Sequence, residues 1–192
     1  MVLAGGRSSR FGSDKLAAPY RGQPLVQHAV TRVAEACGRV VLVLAPGAPA
    51  PDLPPGLPST VAHDAEAFEG PLAGLAGALP HVATPWALVV AGDMPDLSPP
   101  VLLEMLRVAE EAPVDAVALA DDDRPRPLPC VVRTETARRV IPALLHDGER
   151  RLRALLDACR VAVIDEPTWT TLDPSRGTLR DVDVPTDLEG TS

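Results

Sequence analysis

The first fifteen residues, Met-Val-Leu-Ala-Gly-Gly-Arg-Ser-Ser-Arg-Phe-Gly-Ser-Asp-Lys, constrain the fold more than any other stretch. The apolar residues 2–4 predict a buried strand, and they run directly into a loop that contains Gly5, Gly6 and Gly12. Glycine lets a backbone come close to a ligand, and successive loop N–H groups can form a concavity for phosphate oxygens. The segment therefore predicts a phosphate-binding loop that follows a strand of an α/β sheet.

Two cations, Arg10 and Lys15, add positive charge to this loop. The chain has seventeen arginines, and Lys15 is its one lysine. Lysine offers a compact ammonium where arginine offers a planar fork. We therefore expect Lys15 to supply a point charge, as at the end of a triphosphate; the alternative is a surface lysine without a role. Neither a Walker A motif nor a dinucleotide-binding G-x-G-x-x-G is present, which excludes both common phosphate loops.

The rest of the chain alternates between apolar runs and segments whose apolar residues recur every three or four positions. Continuous apolar runs are typical of strands buried on both faces of a parallel sheet, and strand–helix–strand order implies right-handed crossovers. Strands are predicted over 39–45, 60–63, 86–91, 114–120, 127–133 and 160–164. Helices are predicted over 25–37, 71–79, 99–109 (capped by Ser98), 134–145 and 150–159, with a short C-terminal helix capped by Thr186. Residues 46–58 and 168–177 are predicted loops, and residues 121–124 a charged turn.

Acidic residues follow two of the predicted strands. In open α/β sheets ligands bind beyond the carboxyl ends of strands, so Asp64 is expected either to contact a ligand or to cap a turn. Asp93 follows strand 86–91 and is the first choice for a Mg²⁺ ligand, since magnesium prefers carboxylate and phosphate oxygens; a turn cap is the alternative. Asp96 is a weaker candidate, and the aspartates of the turn at 121–124 predict a solvated hairpin rather than a metal site.

The composition excludes several classes of protein. A length of 192 residues with 46% hydrophobic residues suits a single globular domain over 1–192. A net charge of −8 and 3% aromatic residues argue against nucleic-acid binding. No apolar stretch is long enough to span a membrane, and no signal peptide is recognisable, so we expect a cytoplasmic protein. Three scattered cysteines predict free thiols.

Four ordered motifs resemble those of the molybdenum cofactor guanylyltransferase family, within the sugar-nucleotidyltransferase-like superfamily. They are the loop at 3–15, Glu-Gly-Pro-Leu-Ala-Gly at 69–74, Ala-Gly-Asp-Met-Pro-Asp at 91–96, and Leu-Arg-Asp-Val-Asp-Val-Pro-Thr-Asp-Leu at 179–188. The resemblance implies a three-layer α/β/α sandwich with a mostly parallel, Rossmann-like sheet, of the nucleotide-diphospho-sugar transferase type. It also implies transfer of GMP from GTP to the terminal phosphate of molybdopterin-bound molybdenum, with Mg²⁺ as cofactor and transient contacts with cofactor-delivering or cofactor-accepting proteins.

The same resemblance assigns roles to residues. Arg10, Lys15 and Asp93 are the expected catalytic residues, and Asp93 and Asp183 the expected metal ligands. The expected nucleotide-binding residues are Leu3, Ala4, Gly5, Gly6, Lys15, Asp64, Gly70, Pro71 and Asp93. Family members commonly carry Asn-x-Asn where this chain carries Asp181 and Asp183, and an aspartate at 181 repels an anionic second substrate more strongly.

Alternatives from the sequence are a cytidylyltransferase for the same cofactor, a nucleotidyltransferase for another phosphorylated metabolite, and a non-catalytic nucleotide-binding or cofactor-handling protein. Among Arg150, Arg151 and Arg153, most are expected to form a solvated face, although one could reach an anionic second substrate.

Overall fold

The computed structural model describes residues 1–5, 15–63 and 70–188. In these ranges the strands are β1 (Val2–Ala4), β2 (Pro19–Tyr20), β3 (Gln23–Pro24), β4 (Val40–Leu44), β5 (Ser59–His63), β6 (Trp86–Ala91), β7 (Ala116–Asp121), β8 (Arg124–Arg133) and β9 (Val161–Ile164). The α-helices there are α1 (Leu25–Ala36), α2 (Pro71–Ala78), α3 (Pro99–Glu111), α4 (Thr134–His146), α5 (Leu152–Asp157) and α6 (Glu166–Leu172). Short 3-10 turns lie at Lys15–Ala17, Leu79–His81, Gly177–Leu179 and Pro185–Leu188.

Seven of these strands form one sheet in the order β5-β4-β1-β6-β8-β7-β9, while β2 and β3 pair separately as a hairpin. β1 lies between β4 and β6 and runs parallel to both. β5 is parallel to β4, and β9 is parallel to β7. β8 runs antiparallel to both of its neighbours. The prediction of a mostly parallel sheet is confirmed.

Different helices cover the two faces of the sheet, because successive side chains of a strand point to opposite faces. On β6, Leu88 and Val90 pack in one core with residues of α1, α3 and α6. Ala87 and Val89 pack in a second core with residues of α2, α4 and α5. The molecule is thus the predicted three-layer α/β/α sandwich, with β1 and β6 at the centre of the sheet.

The predicted loop over 168–177 is wrong, because α6 occupies its first half. The Asp165 carboxylate accepts a hydrogen bond of 3.0 Å from the backbone N–H of Thr168 and so caps this helix. The Trp169 side chain is fully buried, and its indole N–H donates to the carbonyl of Ala120 at 2.8 Å. Burial of one large aromatic side chain fixes a helix whose threonines have weak helix propensity.

Of the two predicted helix caps, Ser98 stands at the predicted N-cap position of α3, and Thr186 is wrong. The Ser98 hydroxyl donates to the carbonyl of Leu172 at 3.4 Å and makes no capping hydrogen bond to α3. Thr186 lies within the 3-10 turn Pro185–Leu188, and the carboxylate of Asp187 accepts the hydrogen bonds from the backbone before that turn. The other predicted helices and strands are present with shifted ends.

The segment that follows Gly177 crosses the carboxyl ends of the central strands. The backbone N–H of Val182 donates to the carbonyl of Asp93 at 3.0 Å, and the Val182 side chain is buried against Tyr20 and Leu25. This crossing brings residues 181–183 to the end of β6.

Within the part of the chain that is described, no helix has both the length and the apolar character that crossing a bilayer requires.

Candidate active site

The site begins where β1 and β6 end side by side. The backbone N–H of Gly92, just past β6, donates to the carbonyl of Leu3 at 2.8 Å. A Cβ at Gly92 would lie 3.3 Å from Cδ2 of Leu16 and 3.4 Å from Cβ of Ala4. A residue without a side chain therefore keeps the turn after β6 close to the start of the N-terminal loop, and Asp93 follows at that edge.

Lys15 joins two of the predicted site residues. Its Nζ lies 2.8 Å from Oδ2 of Asp93 and 3.3 Å from Oδ1 of Asp183. The Lys15 side chain is only 12% exposed, whereas Asp183 is 63% exposed. The structure thus brings Lys15 together with two residues that are far away in sequence: Asp93 lies 78 positions from Lys15, and Asp183 lies 168 positions from it.

The C-terminal segment holds Asp183 in place through its backbone. The carboxylate of Asp187 accepts hydrogen bonds from the N–H groups of Asp183 at 2.8 Å and Val184 at 3.0 Å. These bonds lower the pKa of Asp187 below its ordinary value. Asp183 therefore points at Lys15 from a turn that a second carboxylate stabilises.

Asp181 lies on the same side of the site and has an unusual acidity. Burial, reinforced by the nearby negative charges of Asp93 and Asp183, raises the pKa of Asp181 to about 6, although Arg126 and Lys15 oppose the shift. The Nη2 atom of Arg126 lies 3.5 Å from Oδ2 of Asp181. Three carboxylates therefore share this corner with two cations.

The donor set of this corner fits a divalent cation. One ammonium already lies within 3.3 Å of oxygens from both Asp93 and Asp183, so the two carboxylates converge on a point that a positive charge occupies. Carboxylate oxygens are the ligands that Mg²⁺ prefers, completed by phosphate oxygens and water.

The carboxylate of Asp96 is occupied by hydrogen bonds from neighbouring side chains. Its carboxylate accepts hydrogen bonds from the Tyr20 hydroxyl at 2.8 Å, Arg21 at 2.8 Å and Arg180 at 3.2 Å. A Cβ at Gly177 would lie 2.8 Å from the carbonyl oxygen of Asp96, so the chain packs tightly here. Asp96 ties the β2–β3 hairpin and the C-terminal segment to the turn after β6.

A cleft of about 420 Å³ borders the group formed by Asp96 and its partners. Arg21 and Arg180 line this cleft, and both are already paired with Asp96.

Gly70 and Pro71 form the start of α2. Gly70 has φ of +88°, and a Cβ there would lie 2.9 Å from the carbonyl oxygen of Arg150. That carbonyl accepts a hydrogen bond of 3.2 Å from the N–H of Leu72. Packing against the loop before α5 thus already requires a glycine at position 70. Pro71 stands at the first position of the helix, as predicted.

Several predicted residues lie outside the described ranges, namely Gly6, Arg10 and Asp64. Leu3 and Ala4 belong to β1, and Gly5 follows it, so the described part of the glycine-rich loop begins at the predicted edge of the sheet.

The acidic turn after β7 forms the predicted hairpin. Carboxylate oxygens of Asp121, Asp122 and Glu166 lie within 4.8 Å of one another. The Arg176 guanidinium pairs with both Asp121 and Glu166, and lowers the pKa of Glu166. An arginine therefore balances the charge of this cluster.

Sequence reasoning missed Tyr20 and Arg126 as partners of the acidic residues. Tyr20 is fully buried, and burial, with the hydrogen bond to Asp96, raises the pKa of its hydroxyl. Arg126 precedes Pro127 on β8 and stands in no local pattern that indicates a site. Their partners lie 76 and 55 positions away, respectively.

Comparison with known proteins places this chain in a family. The model of the MobA-like NTP transferase domain matches residues 1–163, which include Lys15 and Asp93. The chain belongs to the MobA-like NTP transferase domain family. It is thus a member of a nucleotidyltransferase family, and its resemblance to the molybdenum cofactor guanylyltransferases is confirmed by curated relatives.

Two of these relatives carry the name probable molybdenum cofactor guanylyltransferase. The protein from Deinococcus radiodurans is 36% identical over 85% of this chain and 81% of its own length. The protein from Chloroflexus aggregans is 32% identical over 98% of this chain and 90% of its own length.

Solved structures share the fold. Molybdopterin-guanine dinucleotide biosynthesis protein A from Archaeoglobus fulgidus superposes with a TM-score of 0.75 at 21% identity, covering 98% of this chain and 93% of the other. The 2-C-methyl-D-erythritol 4-phosphate cytidylyltransferase from Thermus thermophilus superposes with a TM-score of 0.70 at 17% identity, covering 98% and 94%. Both likenesses establish the nucleotidyltransferase fold of this MobA-like chain.

Proposed function

We propose that the protein transfers GMP from GTP to the terminal phosphate of molybdopterin-bound molybdenum, giving the guanine dinucleotide cofactor and pyrophosphate. The observation that carries this proposal is the contact between Lys15 and Asp93 at the joined ends of β1 and β6. A phosphate-binding cation and a potential metal ligand stand there at the end of a glycine-rich loop. The names of the curated relatives supply the two substrates.

In the proposed reaction an oxygen of the acceptor phosphate attacks the α-phosphorus of GTP. A new P–O bond forms on the α-phosphorus, the bond from it to the α–β bridging oxygen breaks, and pyrophosphate leaves with that oxygen. No covalent intermediate on the protein is required. Catalysis then rests on positioning the two phosphates and on neutralising charge as it gathers on the leaving group.

The residues divide this work. Lys15, with Arg10 of the same loop, stabilises the charge that accumulates on the pyrophosphate. Asp93 and Asp183 would hold Mg²⁺, which would supply charge neutralisation and orientation for the phosphate oxygens. Binding of the nucleotide and the metal requires Lys15 to exchange its carboxylate partners for phosphate oxygens, a movement that a flexible lysine stem permits.

Selectivity for guanine is assigned to the start of the N-terminal loop and the start of α2. Leu3, Ala4, Gly5, Gly6, Gly70 and Pro71 are the proposed contacts, together with Asp64. The support is the resemblance of these motifs to those of the molybdenum cofactor guanylyltransferase family. Transient contact with proteins that deliver or accept the cofactor would complete the cycle in the cytoplasm.

Pyrophosphate release with molybdopterin-bound molybdenum, Mg²⁺ and either GTP or CTP tests this proposal. We expect release with GTP, little with CTP, and loss of release in Lys15→Ala. Arg32→Gln, which removes an exposed cation of α1, serves as control and should behave as wild type. Turnover with CTP alone would refute the assigned base, and full activity of Lys15→Ala would refute the role of the lysine.

A further inference from the structure

Arg126 lies on β8 at the edge of the site, where it contacts Asp181. β8 runs antiparallel to β6, and Val89 pairs with Cys130 at the end of their ladder. β8 begins at Arg124, before this last pair, so its first part continues beyond the ladder in the direction of the carboxyl end of β6, the end that Asp93 follows.

The ion pairs of Arg126 are loose. Its Nη2 lies 3.5 Å from Oδ2 of Asp181, and its Nη1 lies 3.7 Å from Oδ2 of Asp121. Every other arginine in the described ion pairs makes at least one contact of 3.3 Å or shorter. The Nε of Arg126 is shielded from solvent and has no hydrogen-bond partner among the described residues. Because hydrogen bonds between charged groups are normally about 2.7–2.9 Å long, this guanidinium is not held tightly by either carboxylate.

The two cations of the site contact different carboxylates of the cluster. Lys15 contacts Asp93 and Asp183 from the side of the nucleotide loop. Arg126 contacts Asp181 from the side of β8, and its side chain is 37% exposed. A transfer between two phosphates brings two anions together beside these carboxylates, and each anion requires a positive partner. The nucleotide loop supplies one such partner, and Arg126 is placed to supply the other.

We propose that the Arg126 guanidinium binds the phosphate of the acceptor, a phosphomonoester, and that Asp181 is its weak partner until the acceptor arrives. This inference rests on the proposed function and adds the residue that recognises the second substrate. A guanidinium binds phosphate oxygens through two parallel N–H groups, and the acceptor phosphate offers shorter contacts than the two carboxylates do. Arg126 thereby also screens the acceptor from the negative charge of Asp181.

The test is a steady-state comparison of wild type, Arg126→Gln, Arg126→Lys and Arg124→Gln, with molybdopterin-bound molybdenum and GTP as substrates. Arg124→Gln is the matched control, because it removes an exposed positive charge from the same strand. We expect Arg126→Gln to raise the KM for the acceptor by about tenfold to a hundredfold, the range that hydrogen bonds to charged groups support. Arg126→Lys should recover part of that loss, and Arg124→Gln should match wild type. Affinity for a fluorescent GTP analogue should stay within about twofold of wild type in every variant, a difference of at most about 0.4 kcal/mol.

Measurement of Arg126→Gln in a protein that already carries Asp181→Asn distinguishes binding of the acceptor from positioning of Asp181. If Arg126 only positions Asp181, the effect of Arg126→Gln will disappear when Asp181→Asn is already present. If Arg126 binds the acceptor, the effect will persist in that background. An unchanged acceptor KM, an equal effect of Arg124→Gln, or a loss of the effect in the Asp181→Asn background would each overturn the assignment. Absence of pyrophosphate release by wild type would instead refute the proposed function, and this assignment with it.

Discussion

Substitution of Gly70 by alanine tests whether the backbone conformation and the packing on Arg150 require glycine at this motif position. Gly70 has φ of +88° and ψ of 171°, a backbone conformation that is nearly confined to glycine. An added Cβ would also lie 2.9 Å from the carbonyl oxygen and 3.0 Å from the Cβ of Arg150. Backbone strain costs about 1–3 kcal/mol and overpacking a further 1–3 kcal/mol or so. We therefore expect Gly70→Ala to lower the free energy of unfolding by about 2–6 kcal/mol.

Gly148 provides a matched control for the strain alone. It has φ of +82°, but a Cβ there would meet no atom within 4 Å. Gly148→Ala should therefore lower the free energy of unfolding by only about 1–2 kcal/mol, the cost of a left-handed conformation for a residue with a side chain.

Urea unfolding at neutral pH measures both variants, provided that the slope of the transition is unchanged so that midpoints report stability. Equal losses of stability in the two variants would refute the packing of Gly70 on Arg150. Nucleotide affinity of the folded Gly70→Ala protein, measured at low temperature, then shows whether the glycine has a separate role towards GTP.

Three further substitutions have distinct expected outcomes. Trp169→Phe leaves the buried carbonyl of Ala120 without its 2.8 Å hydrogen bond and should cost about 1–3 kcal/mol in urea unfolding; a change near zero would contradict the anchoring of α6. Burial alone would raise the pKa of Asp173, but hydrogen bonds from the neighbouring serine and threonine lower it below its ordinary value of 3.8. The carboxylate therefore stabilises the fold above that value, and the stability is lost as the pH falls through the lower pKa of the folded state. Asp173→Asn should reduce the free energy of unfolding at pH 7 and flatten its decline below about pH 4, whereas an unchanged acid dependence would contradict these hydrogen bonds. Lys15→Met removes the ammonium between the two proposed metal ligands and should tighten Mn²⁺ binding without nucleotide by about tenfold or more, as followed by electron paramagnetic resonance; unchanged or weaker binding would contradict competition between lysine and metal.

The layers, the order of most elements and the end of β6 could be predicted because they depend on local patterns. The buried runs of β4 and β6 and the position of Asp93 just after β6 follow from hydrophobic periodicity and from the rule that ligands bind beyond parallel strand ends. Lys15 could be singled out because of its place in a glycine-rich loop. That its ammonium reaches Asp93 follows from the pairing of β1 with β6.

Other features depend on contacts between distant segments. The start of α6 could have been recognised from Asp165, a typical N-cap residue, followed by Glu-Pro. The threonines of this segment have weak helix propensity and favoured the prediction of a loop. The pairing of Arg126 with Asp181 depends on how far β8 extends past β6, and the network around Asp96 depends on where the C-terminal segment crosses the sheet. Neither distance is encoded in a local pattern of residues.

The central claim, that Asp93 supports nucleotidyl transfer from GTP, is tested most directly by pyrophosphate release from GTP and molybdopterin-bound molybdenum in Asp93→Asn. Asp123→Asn is the matched control, because it makes the same change on the exposed hairpin between β7 and β8. We expect wild type and Asp123→Asn to release pyrophosphate at similar rates, and Asp93→Asn to be slower by about a hundredfold or more, as for loss of one stabilising group at a transition state. Release by Asp93→Asn at the wild-type rate would contradict the account.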